Sequence, residues 1–267
     1  MSTMMTLPIL FFLPYSVRAA SQLALHHGDI AEALVAKTLT ALTAMNGSYM
    51  ALSPEKAGVK LYHLSKEDIT PTVANMIRNN GMSALSLATT NALLAYAKVK
   101  PSIAIAAGLI PRLIVLFHHF NSKVPVRISL RGLAPGYILQ ILCAASLVMS
   151  KWIDSYVAMA IMSFFYISAG VGASIAPKML FKLLLRLDNP TEIEERCLRA
   201  QGKTDLINGV LIWALSIGQD FPRALGLSCV AWISAIIYSD FIAHAGTSRS
   251  DAISQLMISG VTAVILL

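Results

Sequence analysis

Arg112 stands twelve residues into an apolar run, Pro101 to Phe120, directly after Pro111. A guanidinium offers five donors, accepts nothing and keeps its proton at any ordinary pH. In the middle of a lipid-spanning helix it costs about 2.5–3.5 kcal/mol on insertion scales, so it turns to a bundle interior, a wet cavity or the membrane surface. Pro111 leaves the carbonyl of Ala107 without its helical donor, which places an acceptor close to Arg112 or to a neighbouring hydroxyl. Two chemistries follow: a ligand or transport site, or a structural arginine on a broken helix that reaches for the cytoplasmic surface. The second is the orientation expected. Asp240 and His244 lie four apart and share a face if the helix continues, where a carboxylate and an imidazole can relay a proton or hold a head group. Arg199, Gly202 and Asp205 form an R-x-x-G-x-x-D string in which the two charges pair loosely with each other or with loop charges, and Gly202 permits close helix approach.

The elements that must position these residues follow from composition. Of 267 residues, 56% are hydrophobic and 13% charged, at a mean hydropathy of +0.65. Soluble domains carry about 25% charged residues, so half that charge predicts an all-α, polytopic membrane bundle whose solvent is the lipid bilayer. The net charge of +7 fits loops beside anionic lipid; no basic helix or aromatic-basic interleaving points to nucleic acid. Cys143, Cys197 and Cys229 lie far apart with no paired spacing, which predicts neither disulfide nor zinc. No nucleophile elbow, phosphate loop or metal-binding helix motif is present, so no catalytic residue, cofactor or metal is expected.

A duplicated pattern sets the architecture. Pro71 to Phe120 returns as Pro190 to Phe241: each opens Pro-Thr, gives Arg, two residues and Gly, then an apolar run restarted by Pro. Arg78, Gly81 and Pro101 become Arg199, Gly202 and Pro222, each displaced by 121 residues. The copies differ at the chemistry: Ala84 stands opposite Asp205, Ile233 opposite Arg112, and His119 opposite Asp240. Earlier runs match too, Ala33 to Ser53 with Tyr156 to Ala176, each ending Gly, six residues, Pro. Ser168, Gly170 and Gly172 put small residues at a packing surface. Thr70-Pro71 and Asn189-Pro190 predict capped helix starts, the second with Glu192 as a capping-box partner. With Gly132 to Met149 and Ile253 to Leu267 closing the copies, the reading is about eight spans, as a four-helix repeat over 33–150 and another over 151–267. An even number of helices returns the chain to its starting side, so the repeats run parallel.

Residues 1–32 read as a targeting or interfacial segment plus linker, around the short apolar core Leu7 to Pro14. The loops after the first and third helix of each repeat hold fourteen Lys and Arg against six on the opposite face, which predicts that these loops are cytoplasmic. The chain is then expected in the endoplasmic reticulum or the plasma membrane.

Arg199, Gly202 and Asp205, the hairpin Pro222 to Gly226, and Asp240 with His244-Ala-Gly246 resemble the small four-helix membrane proteins of unknown function near the DoxX-like families. That resemblance covers about 90 residues of the second half and implies a fold without a function. The hairpin ending His119-Phe120 is similar to the four-helix ergosterol-biosynthesis scaffold proteins, which implies a helper that gathers enzymes. The small polar inventory therefore predicts a non-catalytic helper that packs against other membrane proteins or a second copy of itself. The alternative is a carrier for a small solute or lipid, with a path between the repeats beside Arg112.

Overall fold

The computed structural model describes residues 28–121, 134–243 and 249–267. The N-terminal targeting expectation, Gly132 and His244 lie outside them. The described residues are helical: α1 (Gly28–Leu52), α2 (Pro54–Leu61), α3 (Pro71–Ala95), α4 (Pro101–Gly108), α5 (Ile110–Asn121), α6 (Ala134–Met149), α7 (Ser155–Ile175), α8 (Pro177–Leu180), α9 (Glu192–Ser216), α10 (Phe221–Ile236) and α11 (Arg249–Leu266). Short π-helical stretches, Phe181–Leu185 and Ile237–Ile242, continue α8 and α10.

The two halves repeat one another in contact as well as in sequence. α1 lies along α3 as α7 lies along α9, and α3 and α9 face each other at the centre. α6 touches α4 of its own half and α7 of the other; α11 touches α10 of its own half and α1 of the other. A twofold relation between α3 and α9 gives this exchange of neighbours. The segments after α1 and α7 share one apolar cluster, in which Ala57, Tyr62 and Leu64 meet Phe181, Leu185 and Leu187, so these segments sit at the same end. His63 in the α2–α3 loop also lies 2.8 Å from Asp251 at the start of α11.

Glycine sets the spacing of each outer pair. A Cβ at Gly81 would lie 2.6 Å from the Ala51 nitrogen and 2.7 Å from the Gly47 carbonyl oxygen. One at Gly170 would lie 2.6 Å from the Leu206 nitrogen and 2.7 Å from the Gly202 oxygen. Only hydrogen fits there, so helix backbones touch. The neighbouring arginines repeat as well: Arg78 Nε donates to the Ala51 carbonyl at 3.3 Å, and Arg199 Nη1 donates to that of Ser174. Arg199 is therefore spent on a helix end and does not pair with Asp205, contrary to the sequence expectation. Pro101 and Pro222 both sit in the first turn of their helices, α4 and α10.

The capping expectation shifts by two residues in the second half. Thr191, not Asn189, caps α9, its hydroxyl accepting from the Glu194 N–H while the Glu194 carboxylate accepts from the Thr191 N–H. Thr70 caps α3 with Pro71 at its first position, as predicted. Both boundaries of the helix are thus displaced by 121 residues, 71 to 192 and 95 to 216. The repeated Pro-Thr dipeptide is out of register, and the two threonine caps are the true counterparts.

Among the described residues, Ser155–Ile175 and Phe221–Ile242 are long and apolar enough to cross a membrane by length and composition. Pro101–Phe117, Ala134–Met149 and Asp251–Leu266 are apolar but shorter. Two of the remaining long helices carry polar residues they bury: α3 hides Asn75, Asn80, Ser83, Ser86, Thr90 and Asn91, and α9 hides Lys203, Thr204, Asp205 and Asn208.

Candidate functional site

Arg112 turns into the bundle. It is 6% exposed, and its Nη2 donates to Oδ1 of Asp205, itself 6% exposed. The pair joins α5 of the first half to α9 of the second. Its local cause is the break between α4 and α5 at Leu109, two residues before Pro111. Proline cannot donate to the carbonyl one turn back. The hydroxyls at the break go to other carbonyls than that of Ala107: Ser86 of α3 donates to the Gly108 carbonyl, and Thr90 Oγ1 lies 3.4 Å from that of Ala104. Gly108 itself rests on Thr90, where a Cβ would lie 2.1 Å from the hydroxyl oxygen. The expected surface-seeking arginine is therefore corrected: with an anion available inside, the guanidinium has no reason to climb out of the bundle.

Three further elements complete the surroundings of the pair. The Tyr166 ring on α7 lies under the guanidinium, 4.4 Å from its carbon to the ring centroid, in cation–π geometry. Ser83 of α3 lies close beside the Asp205 carboxylate, and Tyr137 of α6 is near enough to feel both charges. A cavity of about 100 Å³ opens beside them, walled by Asn75 and Asn79 of α3, Arg112, Tyr137 and Gln140, Gln201 and Asp205. Leu180, Leu184 and Leu185 of α8 and its π-helical continuation close one side. In this wall Arg112 Nε, Gln140 Oε1 and Asn79 Oδ1 are buried and have no hydrogen-bond partner among the described residues. A buried polar atom left so costs about 1–3 kcal/mol, so three such atoms on residues that line one cavity call for a physical account.

The other predicted residues separate. Asp240, in the π-helical turn after α10, accepts from Lys203 Nζ at 2.7 Å and from Ser239 at 2.9 Å. This second buried pair lies within the second half; the Asp240–His244 face that sequence spacing predicts falls outside the described residues at His244. Lys203, counted from sequence among the loop cations, is 5% exposed inside α9. A polar seam between α3 and α9 runs from one half to the other: Thr204 donates to Asn80 Oδ1 at 2.9 Å, Asn80 Nδ2 to the Tyr62 hydroxyl at 2.6 Å, and Asn208 Nδ2 to the Ser83 carbonyl at 3.4 Å.

Sequence reasoning missed Gln140, Tyr137, Asn79 and Lys203. One signal was at hand: Arg112 and Asp205 are opposite charges in apolar runs of opposite halves. The three cysteines are free and buried. No family model, curated protein or solved structure matches the chain.

Proposed function

We propose that the chain is an integral membrane protein of eight spans (α1, α3, α4 with α5, α6, α7, α9, α10 and α11) that carries a small polar solute through the space between its two halves. The observation that carries this reading is the inward Arg112–Asp205 pair beside a cavity with unpartnered polar atoms. Replacing a buried ion pair by apolar side chains is often neutral or stabilising. The chain does this in its other copy, where Ile233 and Ala84 hold the equivalent positions. A pair that stability does not require, placed between two halves, points to a solute.

Burial supports the membrane part of the reading. Large apolar residues lie exposed around the outside, among them Leu52 of α1, Phe117 of α5, Phe164 of α7 and Val264 of α11, while Asn, Gln, Ser, Lys, Asp and Arg lie inside. Ionisable side chains in lipid-spanning bundles are arranged this way, facing inward and paired. The helical loops that share the Ala57–Phe181 end are assigned to the cytoplasm, and the membrane to the endoplasmic reticulum or the cell surface. The DoxX-like resemblance enters only as the four-helix unit that is doubled. A helper without a ligand path, the reading the sequence favours, leaves the pair unexplained.

The test is reconstitution into liposomes with a panel of small labelled acids, amides and amines. The wild type should move at least one of them faster than protein-free vesicles, and the Arg112→Ile/Asp205→Ala variant, which copies the other half, should move none. Equal flux for wild type, variant and empty vesicles across the panel would remove the carrier reading.

A further inference from the structure

Resting on the carrier reading, we propose that the solute is a short carboxylate bound together with one proton, Asp205 receiving the proton as the carboxylate takes its place on Arg112. Arg112 is held at one end only. Asp205 engages it through a single nitrogen, Nη2, while Nε has no partner among the described residues. Nε and one Nη form the edge that grips a carboxylate with two parallel bonds. Half of that grip is unfilled by the protein.

Charge then selects the guest. The pair is neutral as it stands. An ammonium solute would claim Asp205 and leave the Arg112 charge buried without offset, because a guanidinium does not give up its proton. A carboxylate solute would claim Arg112 and displace Asp205, whose negative charge can be removed by protonation. One carboxylate and one proton enter, Asp205 becomes a carboxylic acid, Arg112 stays a cation, and the net charge of the site is unchanged. Around it, α7 contributes Tyr166 and α6 contributes Tyr137, phenols that do not ionise below a pH of about 10; α3 contributes Ser83, Asn75 and Asn79, and the helix after α7 contributes leucines. Lys203, on α9 with Asp205, is held by Asp240. Asp205 is therefore the group in this wall that can take the proton.

Size and the remaining polar atoms narrow the class further. A cavity of about 150 Å³ holds the six carbons of benzene, so about 100 Å³ limits the solute to no more than about six non-hydrogen atoms. Gln140 Oε1 and Asn79 Oδ1, on side chains that line the cavity, are buried acceptors without donors among the described residues, and a rotation of either amide toward the cavity would offer it to a hydroxyl on the guest. Short hydroxycarboxylates combine these features.

Calorimetry on the full chain in lipid nanodiscs, with L-lactate and lactamide as probes, tests this at a pH between about 6 and 8, where lactate is ionised. The expected result is that lactate binds about tenfold more tightly for each pH unit of acidification, with lactamide at least about tenfold weaker at the acid end. Asp205→Asn should bind lactate with little pH dependence. An unchanged slope in that variant would mean that the proton travels on the solute, and would overturn the inference. So would a flat profile in the wild type, or no lactate binding at any pH. Lactamide binding as tightly as lactate would overturn it too, but would leave the carrier reading standing; failure of both probes together with a blank flux panel would remove both. If Asp205→Asn does not fold, infrared difference spectra of the wild type decide: binding of carboxyl-¹³C lactate should raise a protonated-carboxyl band that the label does not move.

Discussion

Arg112 is a residue whose direction depends on what waits inside. Surrounded by lipid alone it would climb to the surface; given Asp205, Tyr166 and a cavity, it stays. Removing only the cation strands a buried carboxylate, which costs about 3–5 kcal/mol when the partner stays charged. Arg112→Leu should therefore lower the thermal midpoint in detergent clearly, whereas Arg112→Ile/Asp205→Ala should be neutral or raise it; a double variant as unstable as the single one would show that the pair is structural. Tyr62 gives a second test at this scale, in the loop before α3. Tyr62→Phe removes the acceptor at 2.6 Å from Asn80 Nδ2, leaving it the weaker Met50 sulfur at 3.9 Å, and should cost about 1 kcal/mol or more in chemical unfolding. Burial also pushes the Tyr62 phenol well above its ordinary range. A group that holds its proton more tightly when folded stabilises fully below its unfolded value, near pH 10, and that stabilisation fades as pH rises toward the folded value. The wild type should lose stability above a pH of about 10 more steeply than Tyr62→Phe; equal slopes would show that Tyr62 is not the group responsible.

At the scale of elements, two glycine contacts and two threonine caps make the halves equivalent. Gly81→Ala and Gly202→Ala should destabilise by similar amounts, about 1–3 kcal/mol each, the range for overpacking. The added methyl meets backbone or a Cβ at 2.6 Å in both, so neither site can yield by swinging a flexible side chain. Thermal midpoints that fall for one variant and not for the other would show that the halves are packed differently. Thr191→Ala removes one limb of the capping box and should cost about 1 kcal/mol, while Asn189→Ala, two residues outside the helix cap, should cost less in the same unfolding assay.

Across the whole molecule, amides line the α3–α9 seam, two ion pairs lie buried beside it, and large apolar side chains are exposed on the outside as well as packed in the core. On the proposal of eight spans in two parallel halves, relative sidedness follows. Reporters inserted near Lys66 and Asp188 should face the same compartment, the cytoplasm, and one fused after Leu267 should face the other, because α11 starts beside His63 and runs away from that end. A Leu267 reporter on the same side as the Lys66 reporter would mean that α11 does not cross.

What was legible in the sequence was local or repeated. Proline at helix starts, the Gly81 and Gly202 spacing and the apolar runs each depend on residues within a few turns, so composition and period expose them. The doubling was legible because 121 residues recur between anchors, although the Pro-Thr dipeptide misled by two residues where the threonine caps kept register. Pairing across the molecule was not legible. Asp205 chooses Arg112, 93 residues away, over Arg199, six away, because Arg199 is drawn to the Ser174 carbonyl by the Gly170–Gly202 contact. Lys203 and Asp240 find each other only once the π-helical turn sets the last residues of α10 against α9. Sequence by itself determined which segments are helices and that they come twice. Which faces of α3 and α9 meet, and hence whether Arg112 looks outward or into a cavity, rests on helix rotation and close approach, and only the tertiary structure decided it.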